Sequence, residues 1–160
     1  MANSTFNGPI RSENGFKNIV KSSTTGGVTS TMTLETYTAT ITVANGDTTG
    51  KETAVGIPAN FIPMGVTVAV TTASTNSVSL NDIGTDADTD GYVDGISAAL
   101  NTTGFKGFFG CNGVLGMSGF TTGASGLVGD EVELVVSGDP GSDTVIVLKF
   151  FGISSSSDAS

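Results

Sequence analysis

The sequence predicts an all-β protein, an antiparallel β-sandwich or jelly-roll-like domain with an extended N-terminal arm. Three observations carry that expectation. Thr36 to Val43, TYTATITV, alternates strictly, with Tyr37, Ala39, Ile41 and Val43 on one face and threonines on the other. That period of two is the mark of a half-buried strand. Gly65 to Thr71, GVTVAVT, repeats it with Val66, Val68 and Val70 directed inward. The composition agrees, because 23 glycines and only 13% charged residues suit short strands and tight turns, not long helices. At 160 residues the chain has the length of one domain with a core of its own.

The elements follow in order. Residues 1–21 read as the arm: Asn7-Gly8-Pro9 and Asn14-Gly15 are turn formers, and Phe6, Ile10 and Phe16 are isolated apolar side chains. Residues 22–153 read as the sandwich. Ser77 to Ile83 is a weaker strand that runs into a group of aspartates. Ile96 to Leu100, ISAAL, has room for one helical turn, too short to stand alone. The glycine-dense stretch around it holds Phe105, Phe108, Phe109 and Phe120, expected in the core or at a subunit interface, since glycine lets backbones approach closely. Glu131 to Val136 alternates Val132, Leu134 and Val136; after the turn-rich SGDPGSD comes Thr144 to Gly152, TVIVLKFFG. These two strands are expected to form a hairpin. The second, apolar on both faces, is expected at the centre of its sheet or covered on both sides. Residues 154–160, SSSSDAS, read as a disordered tail.

Charge and composition exclude several functions. Six basic residues against fifteen acidic ones give a net charge of −9, so the lysine and arginine footprint of a nucleic-acid partner is missing. Arg11, Lys17 and Lys21 are half of the basic residues, which makes a basic arm on an acidic body. No apolar run approaches membrane-spanning length, and the first twenty residues lack the apolar region of a secretory signal. No membrane partner is expected, and synthesis is expected in a cytosol. The one cysteine, Cys111 in FFGCNGVLG, rules out an intramolecular disulfide and reads as a small buried hydrophobe. With no histidine, serine or cysteine catalysis lacks its usual base. A glycoside-hydrolase pair drawn from Asp82, Asp86, Asp88, Asp90 and Asp94 would sit on one loop, not across a cleft, and there is no tryptophan platform. No enzymatic activity is expected.

Asp86 to Gly95, DADTDGYVDG, matches a helix-flanked calcium loop at positions 1, 3, 5, 6 and 9 through Asp86, Asp88, Asp90, Gly91 and Asp94. The bidentate glutamate of position 12 is replaced by Ser97, and a strand rather than a helix leads in. Aspartate also caps ordinary turns with its own side chain. The favoured reading is an acidic, solvent-facing turn with no cofactor. Calcium on Asp86, Asp88, Asp90 and Asp94 is the minority reading.

The opening MANSTFNGPIRSENGFKNI, with its pattern Phe6-x-Gly8-Pro9-Ile10-x-Ser12-x-Asn14-Gly15-Phe16, resembles the start of small structural proteins of marine tailed bacteriophages. Residues 66–100 and the closing VIVLKFFGIS are similar to β-domains of phage virion proteins, head-decoration and fibre-type proteins among them. The resemblance implies a non-enzymatic, multi-copy viral structural protein, often a homotrimer, assembled in the host cytoplasm. The chain has no room for a fibre shaft, which favours a capsid decoration or cement protein on the outer surface of the head. Its partner would be the major capsid protein. The arm would dock through Phe6, Ile10 and Phe16 as apolar anchors and Arg11, Lys17 and Lys21 as ionic ones. Two alternatives stand beside this: a phage fibre or receptor- or glycan-binding tip, and a calcium-dependent surface-binding β-module.

Overall fold

A computed structural model describes residues 17–21, 24, 28–48, 50–57, 61–85, 88–111 and 131–156. Within them the chain forms strands β1 (Lys17–Lys21), β2 (Val28–Val43), β3 (Gly50–Gly56), β4 (Phe61–Thr72), β5 (Ser79–Thr85), β6 (Asp88–Val93), β7 (Ala98–Ala99), β8 (Gly104–Gly110), β9 (Glu131–Val136) and β10 (Thr144–Ser156), and no helix. One sheet has the order β1-β2-β10-β4-β8. The other has the order β3-β9-β5-β6, with β7 added to β5. Every pairing is antiparallel. The all-β sandwich is as the alternation required.

The two inner faces share one apolar core. Ala39, Ile41 and Val43 of β2, Val66, Val68 and Val70 of β4, and Ile146, Leu148 and Phe150 of β10 are buried from the first sheet. Leu80, Ile83, Val132, Leu134 and Val136 meet them from the second. Their spacing of two along β2, β4, β9 and β10 is the physical cause of the fold, since burying one such side chain contributes about 1.5–3 kcal/mol. β5 departs from it, with Leu80 and Ile83 three apart across a register shift. β10 lies at the centre of the first sheet, paired with β2 from Thr144↔Val43 to Ser156↔Thr31 and with β4 on its other side. The apolar character of TVIVLKFFG on both faces anticipated that central place.

Four local expectations are corrected. The strands 131–136 and 144–152 form no hairpin, because β9 pairs with β3 and β5 whereas β10 pairs with β2 and β4. The connection between them crosses from one sheet to the other. ISAAL makes no helical turn: Ala98 and Ala99 pair with Leu80 and Ser79, and Leu100 is buried with its N–H donated to the Val78 carbonyl at 2.9 Å. Five residues are too few to nucleate a helix against that pairing. The boundary at residue 21 falls inside the body, since Lys17–Lys21 pairs with β2. The boundary at 153 does so too, since Ser154, Ser155 and Ser156 extend the ladder against Thr33, Met32 and Thr31. β3 and β8 are glycine-flanked strands that the alternation did not reveal.

Aspartates hold the crossing in place. One carboxylate oxygen of Asp139 accepts the Gly46 N–H (2.9 Å) and the Gly141 N–H (2.8 Å), and Asp143 accepts the Asn45 N–H at 3.0 Å. The Thr75 and Asn76 N–H groups both donate to the Pro140 carbonyl at 3.0 Å. Gly141, at φ +71° with the Thr75 and Asn76 side chains against it, leaves no room for a side chain. The Gly141 N–H, and after it the Gly46 N–H, hold the Asp139 carboxyl below the usual carboxylate range. A depressed folded value gives stability that is present above the unfolded value and lost as the pH falls through the folded one. Asp139→Asn is therefore expected to lower the thermal midpoint at neutral pH, with the gap to wild type closing below about pH 4. Melts across an acid series check this; a gap that widens in acid would refute it.

Candidate functional site

Phe6, Ile10, Arg11 and Phe16 of the arm lie outside the described residues. Lys17 and Lys21 are the first and last residues of β1, the edge strand of the first sheet, paired with Thr33 and Val28 respectively. Lys17 thus lies across from Thr33, the sequence neighbour of the exposed Leu34. The basic residues at either end of β1 sit on a sheet edge, where lysine commonly discourages unwanted strand pairing.

The aspartate stretch is part strand, where a turn was expected. Thr85 pairs with Asp88 and Ile83 with Val93, so Asp88 and Asp90 stand two apart along β6. Asp86 lies outside the described residues. Burial of Tyr92 and Val93 draws this segment into the second sheet. Gly84 allows the close pairing, since a Cβ there would strike the Asp88 carbonyl oxygen. The Asp88 and Asp90 carboxyls hydrogen-bond to each other, and that bond, followed by burial and the Asp90 charge, raises the Asp88 pKa above its ordinary value. Asp94 is exposed beyond the strand. Asp82 faces a structural task, accepting the Gly95 N–H at 2.9 Å. Among the described residues, no three carboxylate or thiol groups converge in a way that could hold a metal ion.

The phenylalanines divide. Phe109 pairs with Val66 and packs against the core, whereas Phe105 and Phe108 of the same strand are exposed. Phe120 lies outside the described residues. Phe108 lays its ring over Gly65, where no side chain intervenes, and reaches Phe151 of β10 with ring centroids 5.2 Å apart. Cys111 packs against the core, and burial pushes its thiol up to about 12. It is protonated at neutral pH and a poor nucleophile. Sequence reasoning missed Leu34, Met64 and Phe151. The available signal was the second apolar face of TVIVLKFFG, which needs a cover that the described part of the chain does not supply.

No protein-family model matches the chain, and no curated protein matches it. Among solved structures, a chain of the cyanophage Pam1 capsid asymmetric unit is similar in fold: the match covers 93% of this chain and 93% of that chain, with a TM-score of 0.51 and 14% sequence identity. The likeness spans nearly the whole of both chains and is one of architecture, an all-β fold.

Proposed function

We propose that this chain is a virion structural protein, a decoration or cement protein that binds the outer surface of a phage head as a multimer and stabilises the shell. The observation that carries the reading is the fold shared over 93% of the chain with a chain of a cyanophage capsid asymmetric unit. The phage-like opening from Phe6 to Phe16 supports it independently. The partner is the major capsid protein. Attachment runs through the arm, rooted by β1 in the first sheet, with Phe6, Ile10 and Phe16 as apolar anchors and Arg11, Lys17 and Lys21 as ionic ones. At the roughly half-molar ionic strength of seawater the Debye length falls to about 4 Å, so the apolar anchors dominate. An extended segment gains further affinity by adding backbone hydrogen bonds to a sheet edge, and repetition over a symmetric shell multiplies a modest single-site affinity.

Deletion of residues 1–16 tests the reading. The truncated chain is expected to keep its sheet spectrum and thermal midpoint, because β1 is retained. It should lose co-sedimentation with undecorated shells by at least about tenfold in affinity. A truncated chain that binds shells like the full one would rule out the arm. Failure of the intact chain to bind any shell would rule out decoration itself.

A further inference from the structure

The outer face of the first sheet is the part of the molecule that the reading above leaves unused. The large hydrophobic side chains that stand exposed among the described residues are Leu34 (68%), Phe105 (68%), Phe108 (51%) and Met64 (50%). All four lie on the outer side of this one sheet. The register joins them into a continuous surface. Leu34, Ile153 and Ile62 stand side by side across β2, β10 and β4. Next to them come Phe151 and Phe108 over Gly65, and beyond these the row Val147, Ala69 and Phe105. Threonines 36, 38 and 40 of β2 complete the face.

Its charge is as distinctive as its apolarity. The chain carries −9, yet none of the described carboxylates lies on this face. Glu35 belongs to the inward row of β2 and accepts the Tyr37 hydroxyl at 2.8 Å. The others sit in the second sheet or in turns. Lys149 is the central charge, and Lys106 in the β8 bulge turns its ammonium to Thr102 at 2.6 Å. Aromatic, Met and aliphatic side chains without carboxylates are what the core of a protein interface is made of.

We propose that a second copy of this chain covers this face, sheet against sheet. Two strongly acidic molecules repel one another over most orientations, and this is the approach that brings no described carboxylate against another. The face spans three strand spacings of about 4.8 Å and the steps from Val147 to Ile153 at about 3.3 Å each, which with flanking side chains makes about 500 Å². A pair then buries about 1,000 Å², the size at which a specific interface becomes sustainable. A single patch that meets itself closes as a two-fold pair, whereas a three-fold ring needs two different patches. Lys149 sets the register, since the two ammonium groups must be offset toward the partner's threonine rows.

The inference concerns how the proposed multimer forms and is measured on the purified chain alone, so it stands or falls apart from shell binding. Sedimentation equilibrium of the full chain over a concentration series is expected to reach twice the 16.0 kDa mass of one chain. Leu34→Glu combined with Phe105→Glu alters only exposed side chains and is expected to weaken the pair at least about tenfold. Lys149→Thr is expected to tighten it, which gives a second reading should the acidic variant fold poorly. A single-chain mass throughout, or an acidic variant that folds and pairs like wild type, overturns the proposal. So does an acidic variant that keeps its pairing and loses shell binding, because the face then belongs to the shell.

Discussion

Phe150→Ala is expected to cost about 3–5 kcal/mol of folding stability, a large share of the roughly 5–15 kcal/mol that a domain possesses. Phe150 lies in the central strand of the first sheet and is 1% exposed. Its ring meets Tyr92 of the second sheet edge-on, with centroids 5.5 Å apart and planes at 63°. Truncation leaves a void that neither sheet can close, because β10 is held on both sides by the ladders to β2 and β4. The loss should appear in urea denaturation as a lower midpoint with an unchanged slope. A cost under about 1 kcal/mol would mean that the two sheets are not joined through this ring.

Gly152→Ala is the second large effect, although it adds one methyl group. A Cβ at Gly152 would run into the Ile62 carbonyl oxygen and come within 2.9 Å of the Phe61 ring. The obstacle is backbone in the adjacent strand, next to the register shift between Phe151 and Gly152. Relief requires β4 and β10 to part. We expect a loss at the upper end of the roughly 1–3 kcal/mol of an overpacked core. Gly110→Ala is the control, since a Cβ there meets nothing within 4 Å; it should be neutral or stabilise by up to about 1 kcal/mol. Equal effects at the two glycines in parallel melts would refute the steric account.

Much of the candidate site was only half legible. The phenylalanines drew notice as residues of a core or an interface, but periodicity could not divide Phe109 from Phe105 and Phe108. The register shift between Val68 and Ala69 changes the pairing of β8, and such shifts leave no mark in composition. The aspartates point to a turn in the sequence because aspartate caps turns with its own side chain and Ser97 stands where a calcium loop needs a glutamate. Tyr92 and Val93 decide otherwise, since burying them against the core outweighs the preference of aspartate for turns. Asp139 was visible only as part of a turn-rich connection. Its partner Gly46 is 93 residues away, beyond the reach of any local pattern.

The sequence by itself determined the fold class and the inward rows of β2, β4 and β9, and it narrowed β10 to a strand central in its sheet or covered on both sides. Each of these follows from a period of two or from apolarity on both faces, and both are local properties. Tertiary structure alone decided which strands share a sheet. It moved β9 and β10 into opposite sheets, carried β10 through three serines, and gathered Leu34, Met64, Phe105 and Phe108 on one side. Strand pairing satisfies backbone groups that every residue carries alike, so its choice rests on contacts between segments far apart in the chain.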